Sequence, residues 1–384
     1  MKTSKIILLL GLILCSTSGY SQLDKIKAAM DKRKARKAAA IEANDPFLSI
    51  LAGPGYTPEN GLLLGGGFLY TFKTNKEDSL IQRSSIPINT FFSTKGNFQV
   101  STALQSFWLE DKLRLNARFV YSNAEDQYYG VGFDNAENTV QSDSTTTYNR
   151  KLISFKPTVL TRIRENLYLG VGVDVNNTKV TNSNPVMDQD PDYLKFGPEN
   201  FNSGLLFSLN YDSRDITVNA WKGWYAKLLT GFYGNYLGSD NDYQVYEFDI
   251  RTYFQIYRPG NILAFKLYGR ITEGDTPYQE LTALGGTNAL RGYITGQYRD
   301  EAGIYFISEW RHTFEKQDKS LSKHGMTLWI ASGTMASSVS EMNQWVPNGG
   351  IGYRFEVQPR MNVRIDFGIG RESSGLYFNF TEAF

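Results

Sequence analysis

Nucleophilic and metal chemistry is usually carried by histidine and cysteine, and this sequence of 384 residues has two histidines and one cysteine. His312 alternates with Trp310 and Phe314, which puts its ring on an apolar face near a strand end, and His324 opens another apolar run. Neither has a serine and an acidic partner at a spacing that would build an activated nucleophile. The glycine runs LGGGF (64–68) and NGGIG (348–352) are not phosphate loops, because no helix follows to present its N-terminus. No catalytic residue, metal site or cofactor is therefore expected. The chemistry that remains is ionic. Arg114, Arg118, Glu247, Asp249, Arg251, Lys266, Arg270, Arg354, Glu356, Arg364 and Asp366 recur at alternate positions of apolar runs, with both signs mixed. A selective pore biases one sign at its constriction. Mixed signs fit a paired network around an internal plug, since unpaired buried charge is costly.

Strands must position these groups. Val363, Ile365, Phe367 and Ile369 alternate with Asn362, Arg364 and Asp366, and Leu263, Phe265 and Leu267 alternate with Lys266, Tyr268 and Arg270. Such period-two runs, about ten residues long, mark a transmembrane barrel with an apolar face toward lipid and a polar face toward the lumen. The aromatic content of 14% suits interfacial girdles. Runs near 47–53, 62–73, 83–95, 97–108, 112–122, 150–162, 166–178 and 200–211 form a first set. Runs near 223–233, 243–256, 261–272, 303–314, 323–334, 347–357, 360–370 and 374–384 form a second. The fold class is all-β: a sixteen-stranded antiparallel transmembrane β-barrel with a short N-terminal periplasmic helix. The long connections 123–149, 179–199 and 273–302 then share one side, the outer one. The connection near 212–222 is longer than other periplasmic turns.

The two ends add a compartment. Lys2 and Lys5 precede the apolar run Ile6 to Leu14, with Gly19 and Ser21 placed as cleavage-site residues, so residues 1–21 read as a signal peptide. Cys15 lies inside it, and Leu14 does not suit a lipobox, so the exported chain is expected to be cysteine-free. Residues 22–45 are lysine- and alanine-rich and read as a basic helix, either a solvated tail or docked at the periplasmic mouth. The barrel takes 46–384 and is expected to end on Phe384 as part of a closing strand paired with the first. Gly53, Pro54 and Gly55 interrupt that first strand. Proline donates no ladder bond and glycine weakens a strand, so this stretch is either a turn beginning early or a weak lateral seam. A net charge of +1 gives no reason to expect nucleic acid as a partner.

One stretch breaks the strand rhythm for longer than a hairpin needs: GGTNALRGYITGQYRD, 285–300. LGGTNALRGY followed by YRDEAGIYFISEWR resembles the inward-folding loop of the BamA/TamA outer-membrane assembly superfamily, the bacterial surface antigen barrels. The loop motif is matched by Leu290, Arg291, Gly292 and Tyr293. YYGVG (128–132), YDSRD with KGWY (211–225) and GGIGYRFEVQPRMNVRIDFGIG (349–370) resemble further pieces in the same order, so that the resemblance covers 46–384. It implies that Arg291 anchors the loop tip on acidic groups of the lumen wall. Glu309 matches one such partner; the other falls on Ala331 here, leaving Asp366 as a substitute.

The resemblance also implies a non-enzymatic role in the Gram-negative outer membrane, assisting membrane-protein or lipid assembly or translocation through the lumen and a lateral seam. The periplasmic POTRA domains usual in the family are not recognisable in this sequence, and a gated passive pore plugged by the long loop is the alternative. The expected partners are outer-membrane lipid, periplasmic or outer-membrane proteins standing in for those domains, and further copies of the chain.

Overall fold

The computed structural model describes residues 31–32, 35–57, 61–78, 81–358 and 360–384; the signal peptide expected at 1–21 lies outside them. Eighteen strands are present among the described residues. The first eight are β1 (Phe47–Thr57), β2 (Gly61–Phe72), β3 (Ser84–Ser93), β4 (Phe98–Trp108), β5 (Leu113–Gln127), β6 (Thr147–Arg164), β7 (Leu167–Asn182) and β8 (Glu199–Asp212). Next come β9 (Gly223–Tyr233), β10 (Tyr243–Gln255), β11 (Asn261–Gly274) and two short strands, β12 (Thr282–Leu284) and β13 (Tyr298–Asp300). The last five are β14 (Ala302–Glu315), β15 (Leu321–Ala336), β16 (Val346–Gln358), β17 (Met361–Ile369) and β18 (Ser374–Phe380).

Sixteen of them form one antiparallel sheet in chain order, as the alternation predicts, and β12 and β13 pair separately inside the loop that joins β11 to β14. The register preserves the two faces. Leu263, Phe265 and Leu267 sit across from Trp310, Ser308 and Phe306, whereas Lys266 and Tyr268 sit across from Ile307 and Tyr305. Among the described residues no helix is long and apolar enough to cross a membrane. The outward faces of the strands are instead apolar and uncovered, with Leu62, Leu64, Phe92, Val159, Ile330 and Ile351 all exposed, as a lipid-facing band requires.

Three expectations need correction. β5 runs to Gln127 and β7 to Asn182, beyond the ends near 122 and 178 that apolar alternation marks. Strands rising above the hydrocarbon no longer need an apolar face, so the signal stops before the ladder does. β1 does not stop at Gly53: Gly53, Pro54 and Gly55 pair with Gly65, Leu64 and Leu63, and the strand continues to Thr57. Proline is tolerated because β1 is an edge strand with one partner. The third correction is at the other edge. β18 ends at Phe380, Thr381 takes a left-handed φ of 64°, and Glu382, Ala383 and Phe384 turn inward and are buried. Phe384 joins the interior cluster with Tyr253, Ile262 and Ala220 and does not line the seam. β1 and β18 lie side by side, but among the described residues no ladder between them closes the sheet.

Residues 35–42 are helical and exposed along most of their length. The C-terminal end of this helix is docked on the turn between β2 and β3, where Arg83 donates to the carbonyls of Ile41 (2.8 Å) and Asp45 (3.1 Å). A cation near the last carbonyls of a helix also complements its dipole. The described helix 35–42 is thus mostly exposed, and its C-terminal end is tied to the β2–β3 turn by Arg83 and by contacts of Asn44 and Asp45 with Lys76. Arg83→Ala is expected to speed proteolysis within 35–45 while the barrel keeps its heat-modifiable mobility on gels. An unchanged cleavage rate would show that Arg83 does not hold the helix.

Candidate functional site: the lumen loop and the open edge

The connection from β11 to β14 folds inward. The ladder of Thr282, Ala283 and Leu284 with Asp300, Arg299 and Tyr298 stiffens its stem, so the tip at 285–297 is presented as a unit. The order of a loop this long must be maintained by contacts at the tip. Leu290, Arg291 and Tyr293 are all buried, at 0%, 0% and 1% relative exposure.

The Arg291 guanidinium reaches both expected carboxylates. Nη2 lies 2.6 Å from Glu309 Oε2 on β14 and Nη1 lies 2.7 Å from Asp366 Oδ2 on β17. Its plane stacks on Trp329 of β15, 3.6 Å from the ring centroid, a cation–π contact strengthened by desolvation. Each carboxylate is shared further. Glu309 takes Arg311 at 2.9 Å, and Asp366 takes Arg354 at 2.6 Å and Arg364 at 2.9 Å. Glu382 of the inturned end accepts from Arg354 Nε at 2.8 Å and from Asn362 at 2.7 Å. Four guanidinium groups (291, 311, 354, 364) thus face three carboxylates (309, 366, 382), a formal balance of +1. Burial of such a set is sustainable only because nearly every charge has an opposite partner.

The neighbouring motif residues lock the backbone. Gly292 donates its N–H to the Tyr377 hydroxyl at 2.9 Å, Asn348 donates to the Arg291 carbonyl, and the Tyr293 hydroxyl donates to the Pro347 carbonyl at 2.7 Å. Gly292 sits at φ 119°, and a Cβ there would lie 2.7 Å from the Gly370 nitrogen and 2.9 Å from the Ile369 carbonyl carbon. Gly292→Ala is therefore expected to cost at least about 1–3 kcal/mol in backbone strain before the clash is relieved. A lowered urea midpoint measures it; an unchanged midpoint would mean the tip repositions freely.

The structure brings together Leu290, Arg291, Gly292, Tyr293, Glu309 and Asp366. Trp329, Asn348, Tyr377 and Glu382 belong to the same cluster, and sequence reasoning did not find them. Trp329 and Tyr377 carried a usable signal, because they share the lumen parity of their strands. Glu382 carried none: continued alternation would not turn it into the lumen. Gly53, Pro54 and Gly55 stand apart from this cluster, on edge strand β1.

This geometry, an outer-membrane barrel with an inward loop pinned to the lumen wall beside an open strand edge, defines the class of protein. The Omp85 superfamily domain matches residues 82–380, and the chain belongs to that superfamily. No curated protein matches it closely enough to count as a relative. Among solved structures it resembles BamA from Haemophilus ducreyi lacking POTRA domains 1–3, with a TM-score of 0.58 at 15% identity over 87% of this chain and 69% of that one. CdiB from Acinetobacter baumannii (TM-score 0.54, 10% identity, 88% of this chain) and CdiB from Escherichia coli (0.55, 9%, 87%) share the fold. This chain spans 59% and 62% of those two. The membership supports an outer-membrane barrel of the assembly or translocation class, and the likenesses show the fold.

Proposed function

We propose that this chain is a non-enzymatic outer-membrane barrel that assists membrane-protein or lipid assembly or translocation, using its lumen and the seam between β1 and β18. The observation that carries the reading is the unclosed sheet: β1 and β18 are its two terminal strands, and among the described residues no ladder joins them. A terminal strand not locked into a continuous ladder leaves a seam at which backbone donors and acceptors can be exchanged with an incoming strand. β18 is short, seven residues, so any contact it makes with β1 is limited in length. Arg291, with Glu309 and Asp366, acts as the loop anchor in this reading and keeps the lumen wall next to the seam in one arrangement. Its partners are outer-membrane lipid and periplasmic or outer-membrane proteins that deliver clients, with further copies of the chain as a third class. Covalent closure of the seam tests the proposal, since a passive pore plugged by the loop would tolerate it.

A further inference from the structure

The turn between β8 and β9 does more than reverse the chain. Asp215 organises it: one carboxylate oxygen accepts from the backbone N–H groups of Ile216 (3.0 Å), Trp221 (2.9 Å) and Lys222 (3.3 Å). The other oxygen accepts from Arg360, 2.9 Å away and 145 positions later, at the hairpin joining β16 to β17. Those two hairpins are separated by six intervening strands of the sheet, β10, β11 and β14–β16 with β9 itself, so the contact crosses the mouth and does not follow the rim.

Arg360 is built for this reach. It holds a left-handed φ of 62°, and Glu356 accepts its backbone N–H at 3.1 Å. Its guanidinium donates twice to the Asn219 carbonyl, at 2.7 and 3.1 Å, and stacks on Trp221 with 3.7 Å to the ring centroid. The far side of the turn is drawn into the interior. Asn219 and Ala220 are buried, and Ala220 packs in the cluster that contains Tyr253, Ile262 and Phe384. Above the turn lies a cavity of about 230 Å³ lined by Asn219, Trp221, Arg311, Arg354, Arg360 and Glu382, between the turn and the buried charge cluster. It is polar and large enough for several waters. Burial pushes the Asp215 carboxyl up, but Arg360 and the Trp221 and Lys222 N–H groups outweigh it and hold the group below its ordinary range, so it stays charged.

From this geometry we infer that residues 213–222 form a strap across the periplasmic mouth, latched by Arg360, and that exchange between the lumen cavity and the periplasm requires the latch to release. The strap is independent of whether the barrel assembles clients or conducts passively. Three hydrogen bonds from one guanidinium and its stack on Trp221 can keep a ten-residue turn shut and still open reversibly.

Ile262 is buried, lines the cavity and belongs to the same interior cluster as Ala220, which makes it the reporter position. In a Cys15→Ser background, Ile262→Cys in the full chain reconstituted in lipid vesicles is reacted with a membrane-impermeant maleimide. Slow labelling is expected with the native latch, a severalfold faster rate with Arg360→Ala, and an intermediate rate with Arg360→Lys, which keeps the charge but not the fork or the stack. Heat-modifiable mobility identifies folded protein; if Arg360→Ala does not fold, Asp215→Asn, which removes the ion pair of the latch, is read in its place with a smaller expected acceleration. Equal labelling rates in folded native and latch-deficient proteins would overturn the strap.

Discussion

Arg291→Ala is expected to destabilise the folded barrel by about 3–5 kcal/mol, the range for removing one member of a buried charge pair. The loss has three parts. Glu309 and Asp366, both fully buried, each lose a hydrogen-bonded cation; Trp329 loses a stacked guanidinium; and the loop tip loses its ion pairs with the wall, keeping the hydrogen bonds that Arg364 donates to Thr287 and Asn288. Arg311, Arg354 and Arg364 remain beside the stranded carboxylates, which places the result toward the lower end of the range. Arg291→Lys should recover little, because an ammonium cannot span both carboxylates in the bidentate geometry and stack at the same time. Unfolding in urea with native lipid present measures the cost. A loss under about 1 kcal/mol, no more than a surface pair contributes, would show that the loop is held by its other contacts and not by the Arg291 ion pairs.

Locking the seam should abolish assembly or translocation altogether. Ser49 is on the lumen side of β1, and Asn379 sits opposite Arg364 on the lumen face of β18. Cysteines at these two positions, or at the neighbouring pair with the shorter Cβ separation, close the edge when oxidised or bridged by a short bifunctional reagent. Function is expected to disappear in the locked protein and return on reduction, because a client strand or a lipid must leave the lumen sideways. Opening is energetically accessible: each ladder bond contributes only ~0.5–1.5 kcal/mol net, and here no continuous ladder joins the edges. Axial conductance should be the same in locked and unlocked protein. Full complementation of a deletion strain by the locked form would rule out lateral opening and favour the passive pore.

Much of this architecture was legible in the linear sequence. A period of two is a local property, so the sixteen sheet strands, their lipid and lumen faces and the inward orientation of Glu309 follow from which residues alternate. The loop motif also announces itself, because a glycine-hinged arginine stretch interrupts that period. Its glycine is required by a φ of 119° that other residues rarely adopt.

Four features were decided only by the tertiary structure. Asp366 was offered by the sequence as a substitute for the acid that Ala331 lacks, but that Arg291 spans it and Glu309 together was decided by the curvature that brings β17 to the loop tip. Glu382 and Phe384 enter the lumen through one left-handed residue, Thr381, which reverses the parity that alternation would have continued. Arg360 meets Asp215 across the mouth, a contact that no local spacing encodes. The seam itself is an outcome of the whole sheet, since whether β1 and β18 join depends on the twist and stagger accumulated over every strand between them. Local alternation determined what each strand faces; only closure of the complete sheet, or its failure, determined which distant side chains meet and where the edge stays open.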